Sequence, residues 1–342
     1  MIYRSKAPLR IGLAGGGTDV SPYCDDFGGV VLNATISLFA YATIEPITEP
    51  TIIIEAVDRG EKVVCPLTDN LEIDGRLNLA KGVYNYIVKN YSKVPSGFKI
   101  TTTVDAPAGS GLGSSSTLVV AIIGAFCEWL KLPLGEYDVA RIAYEIERVD
   151  LGMAGGKQDQ YAAAFGGVNF MEFHSNHEVV VNPLRIKSEY LYELENNLLL
   201  YFTATSRVSS EIIEAQSKNV KEKNQASIDA MHHLKEQAQM MKEAMLKGNI
   251  DQIGEILDFG FKFKKQMAKG ISNPTLDNYY EVALKAGATG GKISGAGGGG
   301  FMMFYCPANT RYAVQKVLNE LSEHGEFKPL RFTHEGLVTW SI

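Results

Sequence analysis

Residues 105–117 of the chain are Asp-Ala-Pro-Ala-Gly-Ser-Gly-Leu-Gly-Ser-Ser-Ser-Thr. Residues 98–104 before them are β-branched and partly alternating, whereas residues 118–130 after them are apolar and free of proline. These patterns predict a strand, a glycine-rich loop and a helix in succession. Glycines let the backbone approach an anion closely, serine is a good helix N-cap, and free N–H groups of a first helical turn favour negative charge. We therefore expect a polyphosphate site.

Three other interpretations fit this loop less well. A flexible Gly/Ser linker would not be expected between a β-rich segment and a buried helix. The Walker A loop ends in Gly-Lys-Ser/Thr, but no lysine lies between Asp105 and Leu130. The dinucleotide fingerprint requires a third glycine at the position of Ser114.

Composition narrows the class of protein. The chain has 342 residues with 45% hydrophobic content, enough for one large or two medium domains with real cores. A net charge of −6 gives no electrostatic case for nucleic acid or an anionic membrane as the main partner. The first residues do not form a signal-peptide core, and the longest apolar run is too short to cross a bilayer. We therefore expect a cytoplasmic protein. The four cysteines are too far apart to indicate a disulfide framework or a zinc site: Cys24, Cys65, Cys127 and Cys306.

Residues 107–115, Pro-Ala-Gly-Ser-Gly-Leu-Gly-Ser-Ser, resemble the second motif of the GHMP kinases, small-molecule kinases named for galactose, homoserine, mevalonate and phosphomevalonate. This motif is long, so a chance match is much less probable than for a lone GxGxxG. The resemblance implies ATP as the nucleotide. It assigns nucleotide binding to Pro107, Gly109, Ser110, Gly111, Leu112, Gly113, Ser114, Ser115 and Ser116.

A second glycine-rich turn follows the strand predicted at the N-terminus. Three successive glycines and Asp19 fit either a ligand site or a tight turn with a capping aspartate. Residues 8–19, Pro-Leu-Arg-Ile-Gly-Leu-Ala-Gly-Gly-Gly-Thr-Asp, are similar to the first motif of the family, which lies at the sugar in galactokinase-like members. The resemblance implies that the substrate meets Gly16, Gly17, Thr18 and Asp19. Galactokinase has Glu-His in place of Gly16 and Gly17, so the change makes room and argues against galactose itself.

Residues 152–160, Gly-Met-Ala-Gly-Gly-Lys-Gln-Asp-Gln, form a third candidate segment. Asp159 precedes a helical pattern at residues 160–165 and can simply cap that helix. The segment also resembles the turn of galactokinase- and mevalonate-kinase-like members whose aspartate meets the hydroxyl to be phosphorylated. That resemblance implies that Asp159 is catalytic, with Arg10 as its counter-charge and Gly156 beside the substrate. Lys157 can help to neutralise phosphate, but a lysine at a turn is more often solvated, so we expect Lys157 to be solvated.

A helical pattern at residues 135–148 carries Glu147 near its end. Mg²⁺ prefers one or two hard oxygen ligands from a protein and keeps several waters. Glu147 matches the metal-binding glutamate of the GHMP kinases, and Ser115 matches the serine that accompanies it. A solvated helix glutamate is the alternative.

The last motif is residues 292–301, Lys-Ile-Ser-Gly-Ala-Gly-Gly-Gly-Gly-Phe. It contains GxGxxG, but residues 301–305 after it indicate a strand, so the helix N-terminus of a dinucleotide site is missing. It is similar to the third GHMP motif, which packs against the phosphate loop. The resemblance implies that Ser294, Gly295, Ala296 and Gly297 help to form the substrate site.

The remaining patterns predict strands at 29–36, 39–44, 51–56 and 62–65, a helix at 79–91, a hairpin within 166–186 and a central strand at 198–203. Residues 206–267 indicate helices with breaks near 220–224 and 248–249, followed later by a helix at 311–323 and a strand near 330–334. Arg207 can either reach a substrate phosphate or cap local structure.

All three motifs occur in family order, which implies an α+β fold with two domains. These are an N-terminal mixed α/β domain at 1–190 and a ferredoxin-like domain at 191–342, with the active site between them. The expected reaction is transfer of the ATP γ-phosphoryl group to a small-molecule hydroxyl. Residues 15–19, 144–160 and 169–173 look most like the bacterial D-glycero-D-manno-heptose 7-phosphate kinases, which act on the anomeric hydroxyl of a sugar phosphate. A fucokinase-like enzyme and a non-catalytic sugar- and ATP-binding sensor are the alternatives, and a homodimer is possible.

Overall fold

The computed structural model describes residues 1–204, 209–322 and 324–342. Arg207, and Glu323 at the end of an expected helix, lie outside these residues. The strands are β1 (Tyr3–Ala14), β2 (Gly29–Ile47), β3 (Thr51–Ala56), β4 (Glu61–Pro66), β5 (Gly97–Val104), β6 (Val168–Phe173), β7 (Val179–Pro183), β8 (Leu198–Phe202), β9 (Gly290–Ile293), β10 (Phe301–Tyr305), β11 (Glu326–Lys328) and β12 (Val338–Ser341). The α-helices are α1 (Tyr23–Phe27), α2 (Asn78–Asn90), α3 (Ser114–Leu130), α4 (Glu136–Tyr144), α5 (Gln158–Phe165), α6 (Ser188–Asn197), α7 (Ser209–Lys221), α8 (Gln225–Lys247), α9 (Ile253–Met267), α10 (Pro274–Lys285) and α11 (Arg311–Leu321).

The first sheet is built around one long strand. Its order is β12-β1-β2-β5-β3-β4, with β6 beside β2 and β7 beside β6. The two strands expected at 29–36 and 39–44 are one strand, β2, whose first half pairs with β6 and whose second half pairs with β5. The pattern changes at Ser37 because the strand changes partners there, not because the chain turns. Helix α3 packs against β1 and β2 and buries its apolar face in the same core as α2 and α4.

The second sheet has the antiparallel order β11-β8-β10-β9. The expected central strand at 198–203 is confirmed, since β8 lies between two neighbours. The expected hairpin is β6–β7, and the expected helix breaks fall after α7 and after α8. Within the described ranges, no helix has both the length and the apolar character that a membrane span requires.

The end of the chain differs from the sequence prediction. Residues 330–334 contribute one bridge, Ile36 to Phe332, rather than a strand of the second domain. The terminal strand is β12, which pairs with β1 so that Tyr3 faces Ser341. Its β-prone residues cover an edge of the first sheet that would otherwise be unpaired. The domain boundary at 190/191 stays a prediction.

Candidate active site

The glycine-rich loop connects β5 to α3 as expected. Gly109, Gly111 and Gly113 have φ values of 74°, 80° and 78°, which L side chains rarely adopt. The prediction of a serine N-cap is wrong, because Gly113 stands at the N-cap of α3 and has no side chain to cap with. The first turn of α3 begins at Ser114, next to this loop, and offers the N–H groups and dipole that favour phosphate.

The third motif, residues 292–301, packs directly against the backbone of the glycine-rich loop. The Ser294 hydroxyl donates to the Gly111 carbonyl at 2.8 Å, and the Phe301 N–H donates to the Ser110 carbonyl at 3.0 Å. A Cβ on Gly111 would lie 2.5 Å from the Ser294 carbonyl oxygen. The expected contact between the two glycine loops is therefore confirmed, and it leaves no room for a side chain at Gly111.

Asp159 lies beside the phosphate loop. Arg10 donates from Nε to Asp159 Oδ1 at 2.7 Å and from Nη1 to the Gly111 carbonyl at 2.6 Å. A Cβ on Gly113 would lie 3.2 Å from Asp159 Cγ. The expectation that Arg10 is the counter-charge of Asp159 is confirmed. One buried guanidinium thus fixes the carboxylate relative to the loop.

Asp19 holds the start of α5. Its Oδ2 accepts the backbone N–H groups of Lys157 at 2.9 Å and Gln158 at 3.0 Å, and its Oδ1 accepts the Gln158 amide at 3.0 Å. A Cβ on Gly156 would collide with this carboxylate. Asp19 also accepts the Gly17 N–H of its own turn at 3.2 Å, as the alternative of a capping aspartate expects, and it lines the cavity as well. By holding the start of α5, it positions the turn that presents Asp159.

Glu147 belongs to a π-helical segment, Glu145–Asp150, that continues α4. Its side chain is fully buried, so the alternative of a solvated glutamate is wrong. Glu147 accepts a hydrogen bond from the Ser115 hydroxyl at 3.2 Å and one from the Gln160 amide at 2.6 Å. The Arg148 guanidinium lies 3.8 Å from Glu147 Oε1.

These oxygens fit Mg²⁺ as the metal. Glu147 and Ser115 supply two hard donors on the cavity wall, the number that Mg²⁺ takes from a protein when phosphates and water complete its shell. In the part of the chain that the structure describes, no group of three or more Asp, Glu, His or Cys side chains is placed to hold a metal. A dedicated all-protein metal cage is therefore absent from the described residues.

A cavity of about 800 Å³ joins these groups. Most predicted site residues line it: Arg10, Gly16, Gly17, Asp19, Gly109, Gly111, Gly113, Ser114, Ser115, Ser116, Glu147, Gly156, Asp159, Gly295 and Ala296. Six do not line it: Pro107, Ser110, Leu112, Thr18, Ser294 and Gly297.

Three of these six residues lie behind the cavity wall and help to hold it in place. Ser110 and Leu112 are buried beneath the loop. The Thr18 hydroxyl lies within hydrogen-bond distance of the carbonyl oxygens of Gly15 and Val30, at 2.9 Å and 2.8 Å, and accepts the Val30 N–H at 2.9 Å, which ties two backbone segments together. We therefore interpret these side chains as parts of the scaffold.

The sequence analysis missed several polar residues of the site. Lys264 and Lys292 line the cavity although both are nearly inaccessible to solvent. Burial, with Arg10 nearby, lowers the pKa of Lys264 to about 8, and burial also lowers the pKa of Lys292. Gln160 was missed too. It directly follows Asp159 and is a polar residue in an apolar helix, which is the feature of the sequence that could have indicated a role in the site. Gln158 was overlooked as well.

The expectation for Lys157 is wrong. Its side chain is 2% exposed, and its ammonium group lies 3.6 Å from Asp25 Oδ1 and 3.8 Å from Cys24 Sγ. Asp19 accepts the backbone N–H of Lys157, and the side chain of Lys157 extends to Cys24 and Asp25 of α1. Lys157 is not among the residues that line the cavity.

The site combines a glycine-rich loop at a helix N-terminus, a buried glutamate and serine that fit a metal ion, and a carboxylate that faces the same cavity. Positioned groups of this kind are what transfer of a phosphoryl group to an alcohol requires. The class of protein is therefore a small-molecule phosphotransferase.

Comparison with known proteins identifies the family. The model of the GHMP kinases N terminal domain matches residues 78–167, and that of the GHMP kinases C terminal domain matches residues 241–326. The chain belongs to the GHMP kinases, which use ATP as the phosphate donor.

Two similar proteins cover nearly the whole chain. The D-glycero-alpha-D-manno-heptose 7-phosphate kinase of Campylobacter jejuni is 46% identical over 99% of both chains. The crystal structure of a D-glycero-D-manno-heptose 1-phosphate kinase from Bacteroides thetaiotaomicron has a TM-score of 0.85 and 47% identity over 99% of both chains. Lactococcus lactis galactokinase, at 18% identity and a TM-score of 0.81, shares the fold over 98% of this chain and 95% of its own.

Proposed function

We propose that this enzyme transfers the γ-phosphoryl group of ATP to the anomeric hydroxyl of D-glycero-D-manno-heptose 7-phosphate, giving the 1,7-bisphosphate. The observation that carries the proposal is the position of Asp159, held by Arg10 next to the phosphate loop. The 46% identity to a heptose 7-phosphate kinase over the full length supports the choice of acceptor.

At the nucleotide end, the backbone of residues 109–116 binds the phosphate chain. Three glycines in the left-handed region leave N–H groups free to face the oxygens, with the N-terminus of α3 behind them. Ser115 and Glu147 would hold Mg²⁺, which neutralises charge on the transferring group. Gln160 keeps Glu147 in place by donating to its second oxygen.

At the acceptor end, Asp159 orients the anomeric hydroxyl and accepts its proton as the new O–P bond forms. Arg10 holds Asp159 in position and places positive charge beside the transferring group. The sugar itself would lie against Gly16, Gly17, Asp19, Gly156, Gly295 and Ala296.

Of the two glycines that stand where galactokinase has Glu-His, Gly16 makes room as expected and supports an acceptor other than galactose, whereas the expectation that Gly17 makes room is wrong. A Cβ on Gly16 would have no atom closer than 3.9 Å, so this position is open to a ligand. A Cβ on Gly17 would lie 2.5 Å from the end of Met267, so the space there is already filled. Relatives with fucokinase activity are 25% to 26% identical and match over 31% to 37% of their own length, so they support the alternative less well. A sensor would not need Asp159, Glu147 and Ser115 together.

A kinase assay against a panel of free and phosphorylated sugars tests the proposal. Phosphorus NMR of the product would show a new anomeric phosphate signal and an unchanged 7-phosphate signal. Transfer to any other position, or a preference for fucose, would contradict it. A cytoplasmic location and a homodimer stay part of the proposal, and the mass in solution would decide the second.

A further inference from the structure

Two lysines from the second half of the chain meet at the cavity. Lys264 is in the last turn of α9, and Lys292 is in β9. The Lys292 ammonium donates to the Gly12 carbonyl at 2.7 Å, and the Lys264 ammonium donates to the Gly295 carbonyl. Among the described residues, neither ammonium group has a carboxylate within 4.0 Å, and the printed partner of each is a backbone carbonyl.

Both ammonium groups border space that two glycines keep free. A Cβ on Gly12 would lie 3.8 Å from Lys292 Nζ, and a Cβ on Gly16 would lie 4.0 Å from Lys264 Nζ. The side-chain amide of Gln158 borders both positions, at 3.6 Å and 3.9 Å, and is fixed by Asp19. The two ammonium groups and the Gln158 amide thus surround a part of the cavity. This part stays open because Gly12 and Gly16 have no side chains.

Two acidic residues of the site, Asp159 and Asp19, already have partners. Asp159 is paired with Arg10, and Asp19 accepts hydrogen bonds from the start of α5. Two unpaired ammonium groups in a buried position are costly unless an anion joins them. Besides burial, the positive charges of Lys264 and Arg10 lower the pKa of Lys292.

We propose that Lys264, Lys292 and the space over Gly12 and Gly16 form the subsite for the phosphate group that the acceptor already carries. This inference rests on the proposed function, because it supplies the recognition that distinguishes a sugar phosphate from a free sugar. Neither lysine belongs to the phosphate loop, residues 109–116, or to the pair Ser115 and Glu147.

The spacing along β1 suits this arrangement. Arg10 and Gly12 lie on the same face of the strand, since Leu9, Ile11 and Leu13 are buried in the core on the other face. Two residues along a strand correspond to about 7 Å. A sugar with its anomeric oxygen at Asp159 can therefore extend along β1 and place a terminal phosphate over Gly12.

The test compares heptose 7-phosphate with unphosphorylated heptose as acceptors of the full-length enzyme. In Lys264→Met and Lys292→Met, we expect kcat/KM for the sugar phosphate to fall by ~30-fold or more, since each change removes one partner of a buried charge pair. The KM for ATP should change little, and kcat/KM for heptose should fall much less than kcat/KM for the sugar phosphate. Lys262→Met, an exposed lysine of the same helix paired with Asp258, is the matched control.

Gly12→Ala tests the same subsite without removing a charge. Its Cβ would make ordinary contacts, the closest at 3.6 Å, and φ is outside the left-handed region, so the fold should tolerate it. The added methyl group occupies the floor of the subsite and should raise KM for the sugar phosphate by ~10-fold through misplacement of the acceptor. This variant keeps the inference testable if a lysine variant does not fold.

Equal losses for both acceptors would overturn the inference, because they would place the lysines at the transferred phosphoryl group. A wild-type enzyme without preference for the phosphorylated sugar would overturn it too. If the panel assay instead identifies a different sugar phosphate as acceptor, the proposed substrate is wrong. In that case, the inference stands if the lysine variants no longer prefer the phosphorylated form of that sugar over its free form. It is wrong if they keep this preference.

Discussion

In the function that we propose, the two ends of the cavity recognise their ligands in different ways. The nucleotide end is one continuous segment, residues 109–116, in which glycines present backbone N–H groups. The acceptor end is assembled from side chains of β1, α5, α9 and β9: Arg10, Asp159, Lys264 and Lys292. A phosphate chain common to many reactions can be bound by backbone alone, whereas a particular acceptor requires side chains in a particular arrangement.

The largest expected effect is at the chemical step. Asp159→Asn removes the proton acceptor but keeps the size of the side chain, so kcat should fall by ~10² to 10⁴. Binding of ATP, measured by calorimetry, should persist, because the loop does not depend on Asp159. Asp58→Asn, at an exposed position, is the control. Turnover close to that of the wild type would remove Asp159 from the catalytic role.

The next largest effect is expected at the nucleotide end, in the glycine-rich loop. Gly111→Ala places a Cβ 2.5 Å from the Ser294 carbonyl at a φ of 80°, so the two glycine loops must separate. Left-handed strain alone costs about 1 to 3 kcal/mol, and the collision adds to it. We expect a lower Tm and loss of ATP binding.

Gly60→Ala separates the two causes, because Gly60 has a φ of 62° but no atom within 4 Å of its Cβ position. It should lower Tm less than Gly111→Ala does and leave ATP binding unchanged. If Gly111→Ala binds ATP normally, the close packing of the two loops is not required for the phosphate site.

A smaller effect is expected at the metal position. In Glu147→Gln and Ser115→Ala, the Mg²⁺ concentration for half-maximal rate should rise, by roughly 10- to 100-fold for the first. Glu145→Gln is the control, because Glu145 lies in the same segment but pairs with Arg141 and Tyr86 at the surface. An unchanged Mg²⁺ dependence in both site variants would contradict the assignment.

The smallest effect is a pH dependence of the acceptor end. The pKa of Lys264 is lowered to about 8, so its positive charge is present below that pH and is lost as the pH rises through it. The charged groups that influence it are Arg10, Asp19 and Asp159, and it in turn influences Lys292. We expect kcat/KM for the sugar phosphate, which reports the free enzyme, to fall above about pH 8.

Lys264→Arg should flatten this alkaline limb, because arginine stays protonated. The pH profile of ATP binding should not share the limb. If the wild type and Lys264→Arg have the same pH profile, Lys264 is not the cause of the decrease in kcat/KM at alkaline pH.

The comparison also explains what could be predicted from the sequence. The phosphate loop was recognised because strand, glycines and helix are adjacent in the chain. The pairing of Asp159 with Arg10 followed from the resemblance, since nothing local connects residues so far apart. The serine cap was not found because the left-handed loop places Gly113 at the cap position.

The lysines were missed or misjudged because burial is a tertiary property. Lys264 lies in the last turn of α9 beside two more exposed lysines, Lys262 and Lys265, a pattern typical of a solvated helix end. Lys157 follows two glycines, which is typical of an exposed turn, yet Asp19 draws the turn inward. The charge of these residues was visible in the sequence, but their surroundings were not.

The most direct test of the account is the structure of a complex with a non-hydrolysable ATP analogue and heptose 7-phosphate. We predict that the anomeric oxygen lies ~2.6 to 3.2 Å from the Asp159 carboxylate, with the 7-phosphate at Lys264 and Lys292. An anomeric hydroxyl directed away from Asp159 would contradict the account.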